Sequence, residues 1–285
     1  MRIVVAVDWS DQAFNAVQEV CRLYEPKELT LVHAVDLGFL ESPTVAQAMN
    51  VQGYDEFRKG MLDAGRQLME QTAKLVPPEV PSVKRVCELG RPAQVVLDAV
   101  KDAAADLVVV GSRGRGRLAE LTLGSVSHRI LMHAPCSTLI VKRPFKALRK
   151  VLAAVEGPDD STRLREWLHA HPFTKPVDLS VISVVPTPYA GDPVAFPYFP
   201  LWSETATAFA KGLARDMADS LAGTQYRTAH KVLQGHPADV IGRESADADL
   251  LVASSHARKG VDRFLLGSVS HALSHRAACS VLVVR

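Results

Sequence analysis

The 285-residue chain has no apolar run approaching the ~20 residues that cross a bilayer, so no membrane span is expected. Its first residues, MRIVVAVDWS, contain one arginine but no apolar stretch of signal length and no small-residue cleavage site. They read as a first β-strand, and the protein is expected in the cytoplasm. Cysteine is scarce. Cys21, Cys87, Cys136 and Cys279 stand singly and show no CxxC spacing, which argues against a disulfide framework and suits a reducing compartment. An excess of one charge is also missing. Thirty-three Lys and Arg against thirty-one Asp and Glu leave a net charge of +2, so bulk electrostatics offers nucleic acid no attraction. No Gly-x4-Gly-Lys-Ser/Thr occurs, which excludes a P-loop.

What is present is one unit written twice. GSVSHRILMHAPCSTLIVKR (124–143) aligns with GSVSHALSHRAACSVLVVR (267–285) at a constant offset, 267 − 124 = 143. GRPAQVVLDAVKDAAADLVVV (90–110) matches GHPADVIGRESADADLLVA (235–253), and RIVVAVDWSDQAF matches KVLAAVEGPDDST, with Asp8 opposite Glu156. A period this long means a duplicated domain, not a solenoid. The domains are expected at 1–143 and 149–285, joined by a short basic segment within KRPFKALRK (142–150).

Within the first half, apolar β-branched runs alternate with helical patterns. Ile3–Val7 is a strand; then Phe14, Val17, Cys21 and Tyr24 recur at helical spacing behind a Ser10 or Asp11 cap. ELTLVHAV, SVKRVCEL, DLVVVG and STLIVKR are further strands. Between them fall a helix with Tyr54, Phe57, Met61, Ala64 and Leu68 on one face, a helix opened by Pro92, and a helix opened by GSVSH. Alternation of this kind implies parallel pairing and right-handed crossovers, with strands covered on both faces. Each half is therefore expected to be a doubly wound α/β domain with a five-stranded parallel sheet. The two are expected to pack as an intrachain pseudo-dimer through their fifth strands, since an uncovered apolar edge is a liability.

In open α/β sheets, ligands sit beyond the carboxyl ends of the strands where the strand order reverses. If strands 1 and 4 are neighbours, that crevice lies between Asp8 and the segment GSRGRGRLAELTLGSVSH (111–128). Gly111 and Gly114 remove side chains where a ligand must meet backbone, and glycine tolerates a positive φ at a tight exit turn. Gly124 leads into a helix start at Ser125, Val126 and Ser127. Its N–H groups, its dipole and the two hydroxyls form an anion site. The constellation points to a nucleotide polyphosphate.

The spacing Gly111-x2-Gly114-x9-Gly124-Ser125, with AVDWSDQA and HAPCSTLIVKR, resembles the ATP-binding branch of the universal stress protein family over essentially the whole chain. The resemblance implies a Rossmann-like, adenine nucleotide alpha hydrolase-like fold in each half. It further implies ATP held with Mg²⁺ or Mn²⁺ and little or no turnover. By position, Gly111, Gly114, Gly124, Ser125, Val126 and Ser127 would hold phosphates and ribose, and Asp8, with backbone at Ala6 and Ala34, the adenosine end. One arginine of the loop is expected near the γ-phosphate, and Arg113 is counted among the binding residues. The second half departs from the pattern: Ser254 and Ala257 replace the exit glycines and Glu156 replaces Asp8. The added Cβ atoms should fill the space where phosphate meets backbone, while Gly267, Ser268 and Ser270 still form a helix-start anion site; the second half is expected to bind nucleotide weakly or not at all, or to hold a smaller anion.

Other readings are weaker. A dinucleotide fingerprint through Gly114, Gly116 and Ala119 would follow a fourth strand, not a first, and lacks its acidic residue. Arg113, Arg115 and Arg117 lack the interleaved aromatics of an RNA surface and read as a solvated loop. His271, His275 and Cys279 invite a zinc reading, but His128, His133 and Cys136 break the geometry in the first half, so packing or capping roles are favoured. A slow ATPase is the alternative of a different class; it needs an oriented water and a base. PTPYAGDPVAFPYFPLW (186–202), with five prolines and five aromatics, is expected to be neither regular helix nor central strand. It is read either as a lid packed on its own domain or, through Tyr189, Phe196, Tyr198, Phe199 and Trp202, as cover for an inter-domain or homodimer surface.

Overall fold

The computed structural model describes residues 1–41, 54–112, 123–144, 147–188, 194, 198–255 and 266–285. Arg113, Gly114, Arg115, Arg117, Ala257, Tyr189 and Phe196, all singled out from the sequence, lie outside these residues. The chain divides into two compact units, Met1–Val141 and Lys142–Arg285.

The first unit runs β1 (Arg2–Ala6), α1 (Asp11–Leu23), β2 (Glu28–Val35), α2 (Tyr54–Ala73), β3 (Val83–Leu89), α3 (Pro92–Asp102), β4 (Leu107–Gly111), α4 (Ser125–His133) and β5 (Ser137–Val141). Its strands are all parallel, in the order β3-β2-β1-β4-β5. The order reverses between β1 and β4, where Val4 pairs with Val108. Val4, Val5, Leu107, Val108 and Val109 are fully buried, as strands covered on both faces require.

The second unit repeats the plan: β6 (Lys150–Val155), α5 (Pro158–Ala170), β7 (Val177–Val185), α6 (Phe199–Leu221), β8 (Tyr226–Gln234), α7 (Pro237–Glu244), β9 (Leu250–Ser254), α8 (Ser268–Arg276) and β10 (Ser280–Val284). Its order is β8-β7-β6-β9-β10, again all parallel, with the reversal between β6 and β9. The expected fold class is therefore present in each unit.

Three local expectations are corrected. In α2 the expected face is only half used. Tyr54, Phe57 and Met61 are exposed, whereas Gly65, Leu68, Met69 and Thr72 are buried. Close approach decides this: a Cβ on Gly65 would lie 2.7 Å from Cys87 Sγ and 3.0 Å from His33 Cδ2. The helix therefore docks through its second half. In α1 the fully buried face is Ala13, Ala16, Val17, Val20 and Leu23, with Phe14 and Cys21 only half-buried at its margin. The proline-rich segment does not stay irregular to its end, because α6 begins at Phe199. Pro200 is tolerated there because the first turn has no intrahelical acceptor for its missing N–H. Phe199 and Trp202 then stack edge-on, with ring centroids 4.9 Å apart.

Candidate ligand-binding crevice

The exit of β1 is held from both sides. The Val7 N–H donates to the Val32 carbonyl at 2.8 Å, and His33 Nδ1 donates to the Val7 carbonyl at the same distance. Asp8 follows, half-buried, its Oδ1 accepting the Ser10 N–H at 2.9 Å and the Ser10 hydroxyl. Ser10 is the N-cap of α1 and accepts the Ala13 N–H at 3.2 Å. The Asp-x-Ser turn thus fixes the carboxylate and starts the helix with one side chain. Ala6 ends β1 opposite Val32, and Ala34 lies on β2 opposite Glu88; both are half-buried.

Across the reversal, β4 ends at Gly111. The Gly111 carbonyl accepts the Ser127 hydroxyl at 2.6 Å, and the Ser112 carbonyl accepts the Gly124 N–H at 2.7 Å. These two bonds tie the strand exit to the start of α4. The Ser112 hydroxyl donates to Gln12 Oε1 at 3.1 Å, joining β4 to the first turn of α1. Gly124 is the N-cap of α4 and has no side chain to cap it. The N–H groups of Ser125, Val126 and Ser127 are thereby left for a ligand, and the helix dipole favours an anion. Ser125 is exposed, Val126 half-buried and Ser127 buried.

Two expected details differ. Ser127 spends its single hydroxyl hydrogen on the Gly111 carbonyl. Phosphate oxygens only accept, so that hydroxyl braces the site and Ser125 is the hydroxyl left to donate. Among the described residues, the glycines with positive φ are Gly90 (+151°) and Gly235 (+139°), which turn β3 into α3 and β8 into α7, and not Gly111. Gly111 is a place without a side chain at a strand end, not a left-handed turn. Sequence reasoning also missed Gln12 and His33. A histidine inside the apolar run LTLVHAV was the available signal for the second.

The second unit has the same crevice with different chemistry. Ser254 replaces Gly111, and its hydroxyl donates to Asp160 Oδ1 at 2.5 Å instead of projecting into open space. Its carbonyl accepts the Ser270 hydroxyl at 2.5 Å, the counterpart of Ser127 on Gly111. The expected filling does not close the crevice. A cavity of about 230 Å³ remains, lined by Ala154, Glu156, Asp160, Ser254, Gly267 and Ser270 among others.

Among the described residues, no helix is long and apolar enough to cross a membrane. Cys21 and Cys279 do not resemble reactive cysteines: burial pushes their thiols up to about 11.

Comparison with known proteins agrees with this layout. The Universal stress protein family matches residues 1–142 and again 147–285. A universal stress protein of Mycobacterium tuberculosis is 31% identical over 306 aligned positions, covering 99% of this chain and 96% of that protein. One from Mycolicibacterium smegmatis is 29% identical with the same coverage. The crystal structure of a universal stress protein from Archaeoglobus fulgidus superposes with a TM-score of 0.68 at 16% identity, covering 100% of this chain and 98% of the other. With the family matched in both halves, and a relative 31% identical along nearly its whole length, this chain belongs to the universal stress protein family, as a tandem of two of its domains.

Proposed function

We propose that the first unit binds ATP with Mg²⁺ or Mn²⁺ in the crevice between β1 and β4, and that the protein acts as a cytoplasmic, nucleotide-responsive regulator with little or no hydrolysis. The observation that carries this reading is the uncapped start of α4, tied to the end of β4 beside Asp8. An anion-accepting helix start and a fixed carboxylate at a strand-order reversal suit a ligand with a phosphate tail and a donor-bearing sugar. Family members commonly hold adenine nucleotides.

In this reading the N–H groups of Ser125, Val126 and Ser127 take the phosphates, together with the Ser125 hydroxyl and the segment carrying Arg113 and Gly114. Gly111 leaves the strand end open to them. Asp8 accepts from the ribose, while Ala6 and Ala34 border the adenine. The divalent ion, when bound, neutralises the phosphate tail. Asp8 Oδ1 is already held by two donors from Ser10, which suits a positioning acceptor better than a base that must move a proton.

Mass analysis of nucleotide released by heating freshly purified protein tests the reading. Intact ATP, near one per chain, is the expected result. ADP alone, with steady phosphate release from added ATP, would replace it with a slow ATPase. Protein free of nucleotide that also fails to bind added ATP would remove it.

A further inference from the structure

Helix α6 buries Ala210, Ala214, Met217, Ala218 and Leu221 on the face packed against β7 and β8. A second face carries Tyr198, Trp202, Thr205, Phe209, Gly212 and Asp216. These recur at intervals of four and three residues, the spacing of a helix-pairing seam. Tyr198 belongs to it because this N-cap has helical dihedrals, φ −90° and ψ −9°. The seam meets solvent: Tyr198 is 61%, Trp202 41% and Phe209 56% exposed, and Thr205 and Asp216 are exposed as well. Phe199, stacked edge-on against Trp202, supports that ring. Three exposed rings in line on one helix face mark an interaction surface. Gly212 adds an independent sign. Glycine inside a helix is less stable than alanine, yet nothing lies within 4 Å of a Cβ added here. The unit's own packing gives no reason for it, whereas close approach by another chain does.

The seam complements itself. Antiparallel pairing with α6 of a second copy, centred on Thr207, sets each Trp202 against the other copy's Gly212 and each Phe209 against its Thr205. It also sets Tyr198, whose hydroxyl donates, against the Asp216 carboxylate, which accepts. Large meets small, or donor meets acceptor, at all six positions. Sliding the pairing by one heptad leaves two of the six without a counterpart. We propose that the protein forms a two-fold symmetric dimer through antiparallel pairing of α6 with α6 of a second copy. At ~200 Å² per aromatic side chain, the exposed parts of the six rings supply roughly 600 Å², half of the ~1,200 Å² at which stable interfaces begin. The dimer is therefore expected to be reversible. It does not depend on nucleotide in the first unit.

Sedimentation velocity of the full chain over a wide range of concentration tests it. The sedimenting species is expected to move from one chain to two as concentration rises. Gly212→Trp sets ring against ring across the seam, and Trp202→Gly leaves the groove empty. Each is expected to weaken dimerisation about tenfold or more, the effect of altering an aromatic anchor. The double variant Trp202→Gly with Gly212→Trp exchanges ring and groove along the helix, so it keeps large against small and should dimerise again. Far-UV circular dichroism and thermal unfolding check that each variant is folded. A chain that stays monomeric up to ~100 μM would hand the rings to a partner of another kind and overturn the proposal. A dimer indifferent to Gly212→Trp would overturn it too, as would a folded double variant no better at pairing than the single ones.

Discussion

Ala104 occupies the left-handed region at φ +42°, a conformation that ordinarily falls to glycine. It follows the end of α3, where the Ala105 N–H reaches back to the Val100 carbonyl at 3.0 Å and the Ala104 N–H to Lys101 at 2.9 Å. This is a helix end whose turn is set by hydrogen bonds while its residue pays a steric cost of ~1 kcal/mol. Ala104→Gly is therefore expected to stabilise the protein by up to about 1 kcal/mol in urea unfolding. The reverse holds at Gly90, where φ is +151° and a Cβ would lie 2.9 Å from Val95 Cγ2. Gly90→Ala should cost about 1–3 kcal/mol by the same measurement. The cysteines make a second residue-scale prediction. A thiol near 11 rather than its ordinary 9 carries about one hundredth of the thiolate at pH 8. Cys21 and Cys279 should be alkylated by iodoacetamide about a hundredfold more slowly in the folded protein than in urea, as read by peptide mass. Their raised values also set a sign. The stability they contribute is fully present below pH 9 and is lost as the pH rises toward 11, because the unfolded chain releases those protons first.

At the scale of elements, α2 shows how far the sequence could be read. Strands and helices were legible because their periods are strong, whereas the strand order was not: alternation implies parallel pairing, and the adjacency of strands 1 and 4 entered only as a condition that the sheet then met. The face by which α2 docks was not legible. Tyr54, Phe57 and Met61 have helical spacing, but the sheet accepts the helix where Gly65 lets it approach His33 and Cys87. Periodicity reports which residues are apolar, not which turn of the helix comes nearest the strand. Two glycines in this one helix should therefore respond oppositely. Gly60 has nothing within 4 Å of an added Cβ, so Gly60→Ala should stabilise by about 0.5–1 kcal/mol through helix propensity alone. Gly65→Ala should destabilise by about 1–3 kcal/mol through overpacking. Thermal unfolding of the two variants, which share helix and substitution, separates propensity from packing. The candidate site was legible to a similar degree. Its place at the β1/β4 reversal, and the residues Asp8, Gly111 and Gly124 to Ser127, come straight from the motif. The direction of the Ser127 hydroxyl and the Ser254–Asp160 bond depend on contacts between elements far apart in the chain, which spacing does not encode.

For the whole molecule, the two units give an internal control on the proposed nucleotide site. Ser125 and Ser268 are both exposed first residues of helices whose N-caps, Gly124 and Gly267, carry no side chain. A carboxylate at either position complements the helix dipole and should leave stability unchanged or raise it by about 0.3–1 kcal/mol. Its effect on a bound triphosphate is the opposite, because like charges then share the helix start. Ser125→Glu is therefore expected to lower ATP affinity at least tenfold, whereas Ser268→Glu should leave it unchanged. Isothermal titration checks affinity and urea unfolding checks stability. ATP at a hundred times its dissociation constant should add about 2.7 kcal/mol to the unaltered chain and to Ser268→Glu, and much less to Ser125→Glu. A general loss of folding would lower both stability and binding, so only stability held or raised with binding lost in Ser125→Glu identifies the start of α4 as the seat of the phosphates. Equal losses of affinity in both variants would assign triphosphate to both units and contradict the weaker second-unit binding expected from Ser254 and Glu156.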